Sequence, residues 1–385
     1  MTLTEHLDRL AEFDPVPFPV VSLYLNARPD EHGKDHYQVF ARKELKARLQ
    51  TYPLRSPERQ SLERDLDRIS TFLNTGVQPS VNGVAVFACH PAGLFETVQF
   101  DPPVERHWLY IGDQPHLYPL ARVASKYPTY LVVLADTYRT RIIVVAEGHV
   151  ASSKAITGVK TRRTDQGALA QARYQRRIEN YHLHHVKDVV EALEKIVLAD
   201  RITRIILSGD VVVLPLLHEQ MPKWLAEKVV DELSLPPESP ARDVIAATLE
   251  SMRKLDEQTD RQKVDAAVGA YRAGGLGVVG LDATLLALEM GQVDELLLSA
   301  SPAKIAPLRH TPAAEMAIAI DEGVVKTAVV PAAAGEPASV DALTARLSEE
   351  LVRKAHQTRA RVGFIEDPSL LEPFGGVAAT LRFRI

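Results

Sequence analysis

Between Lys154 and Arg177 the chain carries seven basic residues, Lys154, Lys160, Arg162, Arg163, Arg173, Arg176 and Arg177, against one acid, Asp165. The whole chain is acidic, with 45 Lys and Arg against 50 Asp and Glu and a formal net charge of -5, so this segment concentrates positive charge. Its first half holds Thr157, Gly158, Thr161 and Thr164; its second half opens a helical pattern that also holds Tyr174. Arginine forks beside an aromatic residue suit phosphate oxygens and stacked bases. The segment therefore reads as an RNA-binding finger, with a solvated helix face as its bland alternative.

Other constellations carry less chemistry. His182 and His185 of the run YHLHH are i,i+3 neighbours and could share a helix face, but no pattern supplies the third and fourth ligands that zinc requires, so no metal site is expected. Asp136, Glu147 and Asp210 lie at expected strand ends, where a two-metal nuclease places its carboxylates, though turns collect acids for their own reasons. Gly275, Gly277 and Gly280 match GxGxxG in letters. That motif needs a strand before it, and residues 265–273 continue a helix, so an interdomain joint followed by a strand is the expectation and no cofactor is. There Asp282 is the expected helix N-cap and Gly291 the glycine after the helix end. GxSxG and Walker A patterns are absent. A single cysteine, Cys89, permits no internal disulfide and no multi-cysteine metal site, which fits a reducing cytoplasm. No apolar run of membrane-spanning length occurs, and the acidic start lacks a signal core.

The elements that must position these residues follow from periodicity and punctuation. In the first segment helices are expected over Thr4–Phe13, Tyr37–Leu49 and Ser56–Leu73, and strands over Val20–Leu25, Asn82–Cys89, Glu96–Phe100 and Arg106–Ile111. A second unit opens near Thr129 with strands Tyr130–Ala135 and Arg141–Ala146 joined as a hairpin. A basic polar stretch, Ser152–Gln166, leads to a long helix over Leu169–Ala199. Strand Ile202–Leu207 follows, then helices around Leu214–Leu233 and over Ala241–Ala270. The third unit reads helix Asp282–Met290, strand Glu295–Ser299, helix Pro312–Glu322, strand Thr327–Val330, helix Val340–His356, and strands Arg361–Ile365 and Ala379–Ile385. The first segment reads as an α/β or α+β domain and the alternation in the third unit suggests an α/β sandwich, so the fold class is α/β.

Specific stretches resemble the archaeal and eukaryotic class-1 release factors, the related Pelota-like rescue factors, and their bacterial branch. Val21–Leu25 and Asn82–Phe87 resemble the family's early strands. Gly167–Tyr181, with Arg173-Tyr174, resembles the segment after its peptidyl-transferase-centre tripeptide. Gly277–Leu298 (GVVGLDATLLALEMGQVDELLL) resembles its strand-helix-strand signature, and Phe374–Arg384 its Gly-Gly closing strand. The resemblance implies three domains: an N-terminal α+β domain (1–127), a central RNase H-like α/β domain with the basic loop (128–272) and a C-terminal L7Ae-like α/β/α sandwich (273–385).

Two departures bear on function. Where the family has Gly-Gly-Gln, this chain has Gly167-Ala168-Leu169, with Gln166 and Gln171 flanking. Where it has Asn-Ile-Lys-Ser, this chain reads Ala41-Arg42-Lys43-Glu44-Leu45-Lys46. The resemblance thus implies a cytoplasmic protein at the A site of stalled or idle ribosomes, in rescue or hibernation, rather than a stop-codon reader. Its partners would be rRNA, tRNA and an elongation-factor-Tu-like GTPase, with no membrane and no DNA. RNA contacts would come from Lys160, Arg162, Arg163, Arg173, Tyr174, Arg176 and Arg177. The alternative is a peptidyl-tRNA hydrolase using Gly167 with Gln171 or Gln166, and a weaker one an RNase H-like nuclease.

Overall fold

The computed structural model describes residues 2–28, 37–79, 81–102, 104, 106–158, 168–200, 202–305, 328–331 and 342–384; for 168–179, 328–331, 342 and 343 it describes the backbone alone. The chain is a mixed α/β protein with three sheets. It forms two compact units, one from residues 1–126 with 257–385 and one from 127–256. The sequence reading divides the chain at 127 and 272 instead. The second of those points falls at the end of one 32-residue helix, Ala241–Arg272, whose halves belong to different units.

In the discontinuous unit, helix α1 (Leu3–Ala11) starts at a capping box in which Thr2 and Glu5 satisfy each other's backbone N–H. Strand β1 (Val20–Asn26) lies between β2 (Gly83–Cys89) and β4 (Trp108–Gly112), with β3 (Leu94–Phe100) beyond β2; these pairs are antiparallel. Helices α2 (Tyr37–Leu49) and α3 (Pro57–Thr75) cover one face through Leu45, Leu62 and Ile69. On the other face α1, Tyr24 and Phe87 share a single apolar cluster with Leu285, Leu296, Leu351 and Phe364 from the last third of the chain. Each such side chain contributes roughly 1.5–3 kcal/mol on full burial, so the two distant segments stabilise each other.

The second sheet of this unit has the order β10-β14-β11-β13, from Gly277–Val279, Val377–Leu381, Val293–Ser299 and Arg361–Ile365. Its outer pair β11–β13 is parallel and the others antiparallel. Leu285 and Leu288 of the helix Leu281–Glu289, with Leu351 of the helix Ala342–Gln357, pack on one face. Val264, Ala267 and Val268 pack on the other, giving three layers. Strand β12 (Ala328–Pro331) leaves this segment and pairs antiparallel with β4, extending the first sheet to β12-β4-β1-β2-β3. The strand was expected, but its place in the first sheet was not legible from the sequence. The helix expected over Pro312–Glu322 lies outside the described residues.

A second join ties the same segments. The helix α4 (Tyr118–Lys126), absent from the sequence reading, begins at a carboxylate borrowed from far along the chain. Oε2 of the fully buried Glu349 accepts the backbone N–H of Leu117 and, at 3.2 Å, that of Tyr118. His116 Nδ1 lies 3.1 Å from the same oxygen. A negative group here meets the free N–H groups of a helix start.

The contiguous unit is built on five strands in the order β7-β6-β5-β8-β9. β5 (Tyr130–Ala135) pairs antiparallel with β6 (Arg139–Ala146), and β6 with β7 (His149–Thr157). β8 (Ile205–Gly209) and β9 (Val229–Leu233) continue from β5 in parallel. The sheet is therefore mixed, antiparallel on one side of β5 and parallel on the other. β5 is apolar throughout because both faces are covered. Leu131 and Val133 meet α5 (Ala168–Ala199) through Val189 and Leu193. Tyr130, Val132 and Leu134 meet α8 (Ala241–Arg272) through Val244 and Met252.

Two expectations fail in this unit. Residues 214–233 are not simply helical: α6 (Val213–Gln220) and α7 (Lys223–Ala226) are followed by strand β9. β9 is a partly exposed edge strand, so its apolar pattern was too weak to separate it from a helix. Nor is all of Ser152–Gln166 a polar stretch without structure, since β7 extends through Thr157.

Candidate nucleic-acid interface

The basic segment starts on β7, an edge strand whose residues 151–155 are exposed on both faces, Lys154 among them. That exposure explains why the alternation expected of a strand was missing from the sequence: with no buried face, nothing selects apolar residues at every second position. The ladder runs out at Thr157, paired with Arg139, and Gly158 N–H donates to Tyr138 O at 2.6 Å. Lys160, Arg162, Arg163, Gln166 and Gly167 lie outside the described residues. The chain is described again from Ala168, already helical.

Gln171, Arg173, Tyr174, Arg176 and Arg177 all stand on α5, where the backbone alone is described. Helical spacing puts positions 173, 176 and 177 within one arc of about 100°, and position 171 on roughly the opposite side. The described buried positions of α5 begin at His185 and continue through Val186, Val189, Val190 and Leu193. The arginine positions precede that anchored part by two turns or more, which is where a helix reaching toward a polyanion would carry them.

Beneath the segment, the turn between β5 and β6 is organised by Asp136. Its Oδ1 accepts the N–H groups of Tyr138 at 2.8 Å and Arg139 at 2.6 Å. Arg139 reaches Glu238 at 2.7 Å, and Arg141 donates to Ser239 O at 2.9 Å, so these two arginines are engaged within the unit. Asp210, one strand over, accepts the N–H groups of Val212 and Val213 at 2.9 Å each and starts α6.

This geometry does not gather the three acids of the nuclease reading. Ala135 and Gly209 are paired neighbours, so Asp136 and Asp210 share one end of the sheet. Glu147 sits with φ 54 at the turn after β6, at the other end. The histidines diverge as well. His185 is buried with Nε2 3.0 Å from Thr140 Oγ1, His182 is half-buried and His184 is exposed. Among the described residues no three His, Cys, Asp or Glu side chains come together in a way that could hold a metal. No described helix is long and apolar enough to cross a membrane.

The GxGxxG letters serve packing. The helix before them runs to Arg272, and a Cβ on Gly277 would lie 2.3 Å from Ala267 O, so β10 can cross α8 only as glycine. Gly280, with φ +86, is itself the N-cap of α9 (Leu281–Glu289), displacing Asp282 from the expected role. Gly291, with φ +65, follows the C-cap Met290 as expected.

Residues 115–253 match the model of the bacterial archaeo-eukaryotic release factor family 10. The match covers the central segment and leaves the rest of the chain unmatched by that family model. The match contains the whole of Lys154–Arg177. Among solved structures, an archaeal Pelota in a ribosome-bound model with ABCE1 is similar at 16% identity and a TM-score of 0.41, over 100% of this chain and 95% of that one. Dom34 of S. cerevisiae, a translation termination-like factor that interacts with Hbs1, gives 11%, 0.40 and 79% of each chain. The archaeal translation termination factor aRF1 gives 17% and 0.26, over 99% and 97%. Scores this low carry no shared arrangement of domains. No curated protein matches the chain.

Proposed function

We propose that this protein is a ribosome-associated factor that occupies the A site of stalled or idle ribosomes, in rescue or hibernation. The observation that carries the proposal is the family match over 115–253, which encloses the basic segment. In this reading Lys160, Arg162, Arg163, Arg173, Tyr174, Arg176 and Arg177 engage rRNA and tRNA phosphates and bases. The remaining segments support the body on the ribosome, the C-terminal one as an L7Ae-like domain. An elongation-factor-Tu-like GTPase is the expected delivery partner, and the cytoplasm the expected location.

Sedimentation tests this directly. The protein should travel with ribosomes from starved or stalled lysates and leave them as salt rises, because each phosphate contact releases counterions. Alanine at Arg162, Arg163, Arg173, Arg176 and Arg177 together should weaken binding by about a hundredfold and flatten the salt dependence. Protein that stays off ribosomes in both lysates overturns the proposal. The hydrolase reading, with Gly167 and Gln171 or Gln166 positioning water, is separated by release of labelled peptide from ribosome-bound peptidyl-tRNA. If the double substitution Gln166→Ala, Gln171→Ala leaves the release rate unchanged, that reading fails.

A further inference from the structure

The end of β7 is held by an arrangement that neither the sequence patterns nor the family match assigns. His185 is 3% exposed, its Nε2 stands 3.0 Å from the Oγ1 of the fully buried Thr140, and its Nδ1 has no hydrogen-bond partner among the described residues. Gly158 passes directly over it. A Cβ there would stand 3.1 Å from both Cγ and Nδ1 of the imidazole, so any side chain at this position crowds the ring. On its other side Gly158 donates to Tyr138 O, and Tyr138 is fixed by Asp136. The chain Asp136–Tyr138–Gly158–His185 thus links the β5–β6 turn, the point within the basic segment where β7 ends, and the helix that carries the segment's last arginines.

We propose that His185 is a positioning residue that sets where the basic segment departs from the sheet. The imidazole joins the entry side of the segment, at Gly158, to its exit side, α5, across Thr140. Burial lowers the His185 pKa; the carboxylates of Asp136 and Asp188 push it back up by less, and His182 lowers it further. The functional meaning of this clamp rests on the reading above; its existence does not.

Hydrogen exchange on the full chain, read by mass spectrometry over residues 150–158 with α8 as the internal reference, tests the clamp without ribosomes. His185→Ala and Gly158→Ala should speed exchange there by about tenfold, the cost of one lost buried hydrogen bond and its packing, with α8 unchanged. His185→Gln keeps an amide that can meet Thr140 and should stay within about twofold of the unaltered protein. Ribosome sedimentation should follow the same order. If His185→Ala fails to fold, Gly158→Ala must still accelerate exchange and His185→Gln must not. Unchanged exchange in Gly158→Ala, or equal acceleration of 150–158 and α8 in every variant, overturns the proposal by reducing His185 to ordinary core. Rescued exchange together with no ribosome binding by the unaltered protein leaves the clamp standing and removes the function.

Discussion

Glu349 and His185 are both buried ionisable side chains, one in each compact unit, and they do opposite things. Glu349 stands beneath a helix start, where two backbone N–H groups and His116 converge on one of its oxygens. Among the described residues His185 meets a hydroxyl through one ring nitrogen, and the other has no partner. A carboxylate that gathers N–H donors holds structure together strongly, because removing it strands every donor. A lone imidazole with one hydrogen bond fixes a position at modest energetic value. The first is a joint between distant parts of the chain; the second adjusts one short stretch.

The largest test of that contrast is Glu349→Ala. It orphans the N–H groups of Leu117 and Tyr118 and should cost about 3–5 kcal/mol in chemical unfolding of the unit that contains it. A loss near that of His185→Ala would erase the difference between the two sites. Next comes Asp65, a second buried carboxylate of the same unit, whose Oδ2 accepts His90 N–H. Desolvation outweighs His90 and the other nearby favourable partners, and raises its pKa from 3.8 to about 6. Since the folded state holds this proton more tightly, its stabilising contribution is fully present below about pH 4 and is lost as pH rises through about 6. Asp65→Asn should therefore melt higher than the parent at pH 7.5, by about 2–3 kcal/mol, with the gap closing by pH 4. A constant gap across that range would show that Asp65 is not the titrating group.

Thr140→Val removes the hydroxyl 3.0 Å from His185 Nε2 and should cost about 1 kcal/mol in the contiguous unit, measured by thermal melting. Lys154→Ala on exposed β7 should change stability by less than about 0.5 kcal/mol while reducing the salt sensitivity of ribosome binding.

What was legible in the sequence depended on burial. Val20–Asn26, Tyr130–Ala135 and the helix over Tyr37–Leu49 stood out because packing on one or both faces writes a pattern into the residues. β7 and β9 did not, since edges with little burial impose none. α4 was missed because its first turn is stabilised by Glu349, more than two hundred positions away, and no local cap announces it. The pairing of β12 with β4 was hidden for the same reason: composition shows that a strand exists, and its partner is a matter of topology. At the candidate interface the charge concentration was plain from residue types, whereas the role of His185 needed the approach of Gly158 in three dimensions.

The crossing of β12 into the first sheet also sets an order of assembly during synthesis. Residues 127–256 are complete once they emerge and can close by themselves, whereas the amino-terminal 126 must wait, one sheet margin open and α4 uncapped, until positions 328–331 and Glu349 are translated. A nascent chain halted between those points would carry a finished insert inside an unfinished host.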